Sequence, residues 1–155
     1  MNKNIGGSMK NLKLMALLMA AGMILGIGSG ANAEVGYIDY QRVLENYPAA
    51  QQAVKDIDAK GLELQQFMLE KERQYKNLST PLQKQNFETQ TANELKSRQE
   101  ALAKLQRDKE TQILNQVQAV AKSVMVSQKL DAVLSDQVVF VGGVDITNQV
   151  IQQLK

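Results

Sequence analysis

The chain has no histidine, no cysteine and no tryptophan. The side chains that most often titrate near neutral pH, attack as nucleophiles or ligate zinc are therefore missing, and a disulfide is excluded. What remains for acid–base work is carboxylate. Acids stand in near pairs at Asp56/Asp58 and Glu70/Glu72. Two residues apart on a helix, such a pair points to different faces, which is poor geometry for two-carboxylate chemistry. Gly142-Gly143 reads as a turn signal, and no glycine-rich phosphate loop occurs. No catalytic, cofactor or metal site is assigned, and the sequence reads as that of a protein that is not an enzyme.

The chemistry left to it is binding. From Lys71 to Lys109 there are nine basic and five acidic residues, whereas the rest of the chain after Ala33 has six basic and eleven acidic. Lys71, Arg73, Lys76, Lys84, Lys96 and Arg98 make the positive stretch. Sparse apolar residues accompany them at Phe67, Met68, Tyr75, Leu78, Leu82 and Phe87. A positive stretch of this kind steers acidic chains or anionic lipid headgroups, with salt-sensitive rates. Two plainer readings stay open: a solvated helix surface carrying i,i+4 pairs, and Tyr75, Leu78, Leu82 and Phe87 closing a hairpin. Nucleic acid is not expected, because the basic residues are interleaved with acids and few aromatics stand among them.

Residues 1–33 have the parts of an export signal. Lys3, Lys10 and Lys13 open it, Leu14 to Ile27 is apolar, and Ala31-Asn32-Ala33 offers small residues for cleavage after Ala33. The competing reading is a retained anchor, but the apolar run is short for a membrane span. No cysteine follows it to carry a lipid, and Met9 offers a second start beside Met1. The whole chain has a formal charge of +2; losing three lysines with the leader leaves fifteen basic against sixteen acidic residues.

These residues must be positioned by two kinds of element. Val35-Gly36-Tyr37-Ile38 reads as a short strand. Tyr40, Val43, Leu44 and Tyr47 then mark one face of a two-turn helix that Asp39 can cap and Pro48 ends. Positions 54, 57, 61, 64, 68, 71, 75 and 78 follow at alternating spacings of three and four, a heptad seam. Asn77 to Pro81 breaks it. Thr80-Pro81-Leu82-Gln83 has the marks of a new helix start, and the second helix runs to about Val126. Its seam is Phe87, Thr91, Leu95, Arg98, Leu102, Leu105, Lys109, Ile113, Val117, Val120 and Val124, with a stutter between 105 and 113. An antiparallel hairpin follows, tighter at its Ile/Val base than toward its turn; a single continuous helix or two separate ones are the alternatives. Leu130–Leu134 and Val138–Val141 read as two more strands. The last is a short amphipathic helix carrying Ile146, Val150, Ile151 and Leu154, for which Asp145 is the cap. Residues 34–47 and 127–155 thus form a body and 48–126 an arm with its turn near 77–81. The end segments are too small for a comfortable core, so several copies are expected to associate, with strands pairing between chains.

The opening, Val35-Gly36-Tyr37-Ile38-Asp39-Tyr40-Gln41-Arg42-Val43-Leu44-Glu45-Asn46-Tyr47-Pro48-Ala49-Ala50, and the ending, Val144-Asp145-Ile146-Thr147-Asn148-Gln149-Val150-Ile151, resemble those of the Skp/OmpH family of periplasmic chaperones. The order of elements matches across residues 34–155. The resemblance implies a mainly α fold with a small β part: a homotrimer with a β-barrel-like body and long coiled-coil arms. It implies a periplasmic protein that uses no ATP or other cofactor. Its partners would be unfolded outer-membrane proteins, held by the apolar and basic arm residues named above. Val35, Tyr37, Ile38, Val133, Leu134, Val139, Val141, Ile146 and Val150 would join the copies. The competing function is a trimeric envelope adaptor or spacer.

Overall fold

The computed structural model describes residues 33–155. The expected leader, apart from Ala33, and the choice of start codon lie outside the described residues. Strand β1 is Val35–Ile38, helix α1 Tyr40–Asn46, helix α2 Pro48–Lys76 and helix α3 Pro81–Ser127. Strand β2 is Ala132–Ser135, a 3-10 turn covers Asp136–Val138, strand β3 is Val144–Asp145 and helix α4 Thr147–Leu154. The chain divides into two compact units. One holds the described residues up to Gln52 together with Glu110–Lys155, and the other is Ala53–Lys109.

In the first unit β1 lies between β2 and β3, parallel to both. Val35 to Ile38 stand opposite Ala132 to Ser135, and Gly36 and Tyr37 opposite Val144 and Asp145. Three short strands are too few to close, so the sheet is open and the expected barrel is not formed by this chain. The strands expected to pair between copies pair within one chain. Gly36 suits the crowded central strand, because a Cβ there would come 2.7 Å from Leu130 Cδ1.

The strand expected at Val138–Val141 is absent. The Ser135 hydroxyl accepts from Gln137 N–H, and Val139 N–H donates to the Asp136 carbonyl, which turns the chain out of the sheet. β-branched residues favour a strand only where a neighbour offers a surface to pack on. Val138–Val141 pair with no strand among the described residues, and Val138, Phe140 and Val141 are exposed.

The core of this unit is local. Ile38, Val43, Val133, Ile146 and Val150 are almost wholly buried, together with Val117, Ala121 and Val124 from α3. Each of these valines and isoleucines contributes about 1.5–3 kcal/mol of transfer free energy. Ile38, Val133, Ile146 and Val150, expected where copies meet, therefore sit in the core of the single chain. The end segments manage this because α3 contributes four buried residues to them, which the division at residue 127 had left to the arm. Val35, Tyr37, Leu134 and Val139 are half-buried and Val141 exposed.

Two caps lock the short helices together. Asp39 Oδ1 accepts from Arg42 N–H at 2.8 Å and starts α1. Asp39 N–H in turn donates to Thr147 Oγ1 at 3.0 Å, on the fully buried Thr147. Asp145 Oδ1 accepts from Thr147 N–H, one residue ahead of the position a regular cap takes, and Arg42 Nη2 donates to Asn148 Oδ1.

The second unit is the part of the two long helices that lies between Ala53 and Lys109. Thr80 and Gln83 cap the start of α3 reciprocally: Thr80 N–H donates to Gln83 Oε1 and Gln83 N–H to Thr80 Oγ1, both at 3.2 Å. Contacts pair 56 with 109, 67 with 98, 71 with 94 and 75 with 87, so the helices run antiparallel.

Candidate functional site

Half of the side chains nominated for binding converge within the Ala53–Lys109 unit. Phe67, on α2, points into the seam and is 7 % exposed. Two cations stand over its ring, Lys71 Nζ at 5.2 Å and Arg98 Cζ, from α3, at 4.3 Å. Lys71 Nζ also lies 5.5 Å from the centre of Phe87 and 2.8 Å from Glu94 Oε2. Tyr75 meets Phe87 at 6.2 Å, tilted by 49°, and Lys84 Nζ lies 5.4 Å above the Tyr75 ring. Rings carry negative faces, so they accept cations that a hydrocarbon seam would reject. That is how a heptad position admits Lys71.

The charges respond to this packing. The Glu94 carboxyl is held below the usual carboxylate range, first by the Lys71 hydrogen bond and then by that from Gln90. The Tyr75 hydroxyl is raised, chiefly because it donates to the Glu88 carboxylate. Nearer the other unit, Lys109 Nζ pairs with Asp56 Oδ2 at 2.6 Å across the two helices. In the first unit Tyr40 is raised by burial and then by the charge of Glu110.

Other nominated residues stay apart from this cluster. Met68 is 53 % exposed and Leu82 66 %, so Leu82 does not close the hairpin, while Leu78 is half-buried. Lys76 pairs with Glu72 at 2.6 Å, Lys96 approaches Glu100 at 4.0 Å, and Arg73 is exposed. Leu62 and Leu69, never nominated, are 54 % and 57 % exposed on α2. Their signal is a second row of heptad spacing, one or two positions along from the first. Thr91 Oγ1 is buried in the seam with no hydrogen-bond partner among the described residues.

Among the described residues no group of three or more acids is placed to hold a metal, and no helix is long and apolar enough to cross a membrane. The arrangement has the makings of a binding surface: cations held in place by rings and carboxylates, with aliphatic side chains left in water. A family model described as outer membrane protein (OmpH-like) matches residues 34–154, which takes in both units and every element described above. The chain belongs to the OmpH-like family. Comparison with curated proteins gives no match. Among solved structures this OmpH-like chain is similar to one from Caulobacter crescentus CB15, assigned there as a candidate OmpH-like outer membrane chaperone. The identity is 14 %, the TM-score 0.39, and the match covers 84 % of this chain and 88 % of that one. At that score the neighbour carries no argument, and membership of the OmpH-like family rests on the match over 34–154.

Proposed function

We propose that the protein is an ATP-independent holdase chaperone of the periplasm, working as a homotrimer, that keeps unfolded outer-membrane proteins from aggregating. The observation that carries this reading is the OmpH-like match over 34–154, on a chain whose helical hairpin leaves apolar side chains in water. Leu62, Met68, Leu69 and Leu82 are each more than half exposed, and cations stand among them. Scattered aliphatic groups on a charged helix pair cover a client's apolar surface without a fixed pocket, and basic residues draw in acidic segments. Unfolded chains differ in sequence, so a diffuse surface suits them better than a shaped one.

The test is dilution of a urea-unfolded outer-membrane β-barrel protein into buffer with the purified protein at one trimer per client. Light scattering should stay low without nucleotide. Aggregation at the rate of the client alone sinks the proposal. Saturable binding to one folded envelope protein, with client aggregation unchanged, would instead favour the spacer.

A further inference from the structure

Helix α2 carries a second row of heptad spacing, turned away from α3. Positions 55, 59, 62, 66, 69, 73 and 76 alternate steps of four and three, and all seven are exposed. Leu62 and Leu69 stand at its centre, Lys55 at one end, Arg73 and Lys76 at the other, and no acid occurs in it. The nearest carboxylates are already engaged. Glu63 pairs with Lys60 at 2.7 Å, Glu70 accepts from Gln74 at 3.0 Å, and Glu72 holds Lys76 at 2.6 Å. The row is therefore an apolar stripe one residue wide with cationic ends, about 30 Å long at about 1.5 Å per residue.

Three occupants can be weighed by size. A second helix needs apolar residues at most seam positions over three or four heptads, and two leucines in seven positions fall short. A lipid surface needs a broad apolar face, and this one is a single residue wide. An extended polypeptide fits. Leu62 and Leu69 are about 10 Å apart, the length of about three extended residues, and the row is as long as about nine.

We propose that this α2 row binds one extended segment of an unfolded polypeptide that carries both apolar and acidic side chains, its apolar groups on Leu62 and Leu69 and its carboxylates on Lys55 and Arg73. The proposal rests on the holdase reading and names which face of the hairpin meets the client. It separates this face from the Phe67–Lys71–Arg98 cluster, whose groups are spent on one another.

The experiment uses the whole folded protein and fluorescein-labelled nine-residue peptides in fluorescence anisotropy. One peptide has glutamate at positions 1 and 9, leucine at 3, 5 and 7 and serine between them, so that in an extended chain leucines and glutamates share one face; its controls replace glutamate with lysine, or leucine with serine. The leucine–glutamate peptide should bind, and both controls should bind at least tenfold more weakly. Leu62→Ser with Leu69→Ser should weaken it about tenfold, and so should Lys55→Gln with Arg73→Gln, which leaves the leucines in place. Far-UV circular dichroism and sedimentation accompany both variants. All four side chains are exposed, so fold and mass should hold. Equal binding of the three peptides, or unchanged binding by both variants, overturns the row as the client face. So does a change of mass in the leucine variant without peptide, which would give the row to a second copy. Variant-sensitive binding to phosphatidylglycerol vesicles with no peptide binding would give it to a membrane. A wild type that suppresses client aggregation while its variants do so equally well removes this proposal and leaves the holdase standing. A wild type that suppresses none removes the holdase.

Discussion

Lys71 serves three neighbours at once. Its amine lies over Phe67, over Phe87, and against the carboxylate of Glu94, with only 18 % of its side chain exposed. The two rings and the carboxylate hold the amine in one place inside the seam. Glu94 therefore holds a specific pH dependence. Its folded-state pKa is depressed by Lys71, then by Gln90, while in the unfolded chain it returns to the ordinary glutamate range near about 4.3. A depressed carboxylate gives stability that is complete above the unfolded value and lost as pH falls through the folded one. Thermal melts from pH 7 down to pH 2.5 should show this loss beginning near pH 4.5. Glu94→Gln should start less stable at pH 7 and lose less on acidification, so the two curves converge at the acid end. Some acid loss persists in the variant, since Glu63 and Glu72 are also held down, by Lys60 and Lys76. Curves that stay parallel down to pH 2.5 would mean that Glu94 contributes nothing through its charge.

At the scale of the element, helix α2 shows what a seam can and cannot announce. The heptad read from the sequence shares Ile57, Leu64, Lys71, Tyr75 and Leu78 with the observed seam, but at Val54 and Met68 it lies one residue late. Ala53 and Phe67 are buried, whereas Val54 is half-buried and Met68 exposed. Both rows have steps of three and four, so spacing alone cannot separate them. What decides is Phe67, whose ring buries more area than Met68 and takes two cations on its faces. Local signals were legible where the partner is close in sequence: Asp39 caps α1, and Thr80 with Gln83 caps α3. Val138–Val141 has the propensity of a strand but forms none, because propensity says nothing about whether a neighbouring strand exists to pair with. Gly61 gives α2 its own test. It lies inside a helix of 29 residues, and a Cβ there would meet nothing within 4 Å. Gly61→Ala should raise stability by about 0.5–1 kcal/mol through the unfolded chain's entropy, read as a higher urea midpoint at unchanged slope. A lower midpoint would mean that the helix is not straight and regular there.

At the scale of the whole molecule, the first unit leaves work undone. Its sheet is parallel throughout, an arrangement that ordinarily has both faces covered, yet the outer edges of β2 and β3 are unpaired among the described residues. After β2 the chain turns out to expose Val138, Phe140 and Val141, with Phe140 wholly in water. A wholly exposed aromatic with exposed valines at 138 and 141 is the kind of apolar patch that a second copy covers. The assembly we propose therefore uses this segment more than Ile38, Val133, Ile146 or Val150, which the single chain has already buried. Sedimentation equilibrium on the wild type should give the mass of a trimer. Phe140→Asp with Val141→Asp should lower it to that of a monomer while far-UV circular dichroism keeps its helical amplitude, because these side chains are not needed for the core of their own chain. A wild-type monomer would remove the trimer. A variant that stays trimeric would move the interface to the edges of β2 and β3, where backbone groups pair regardless of the side chains at 140 and 141.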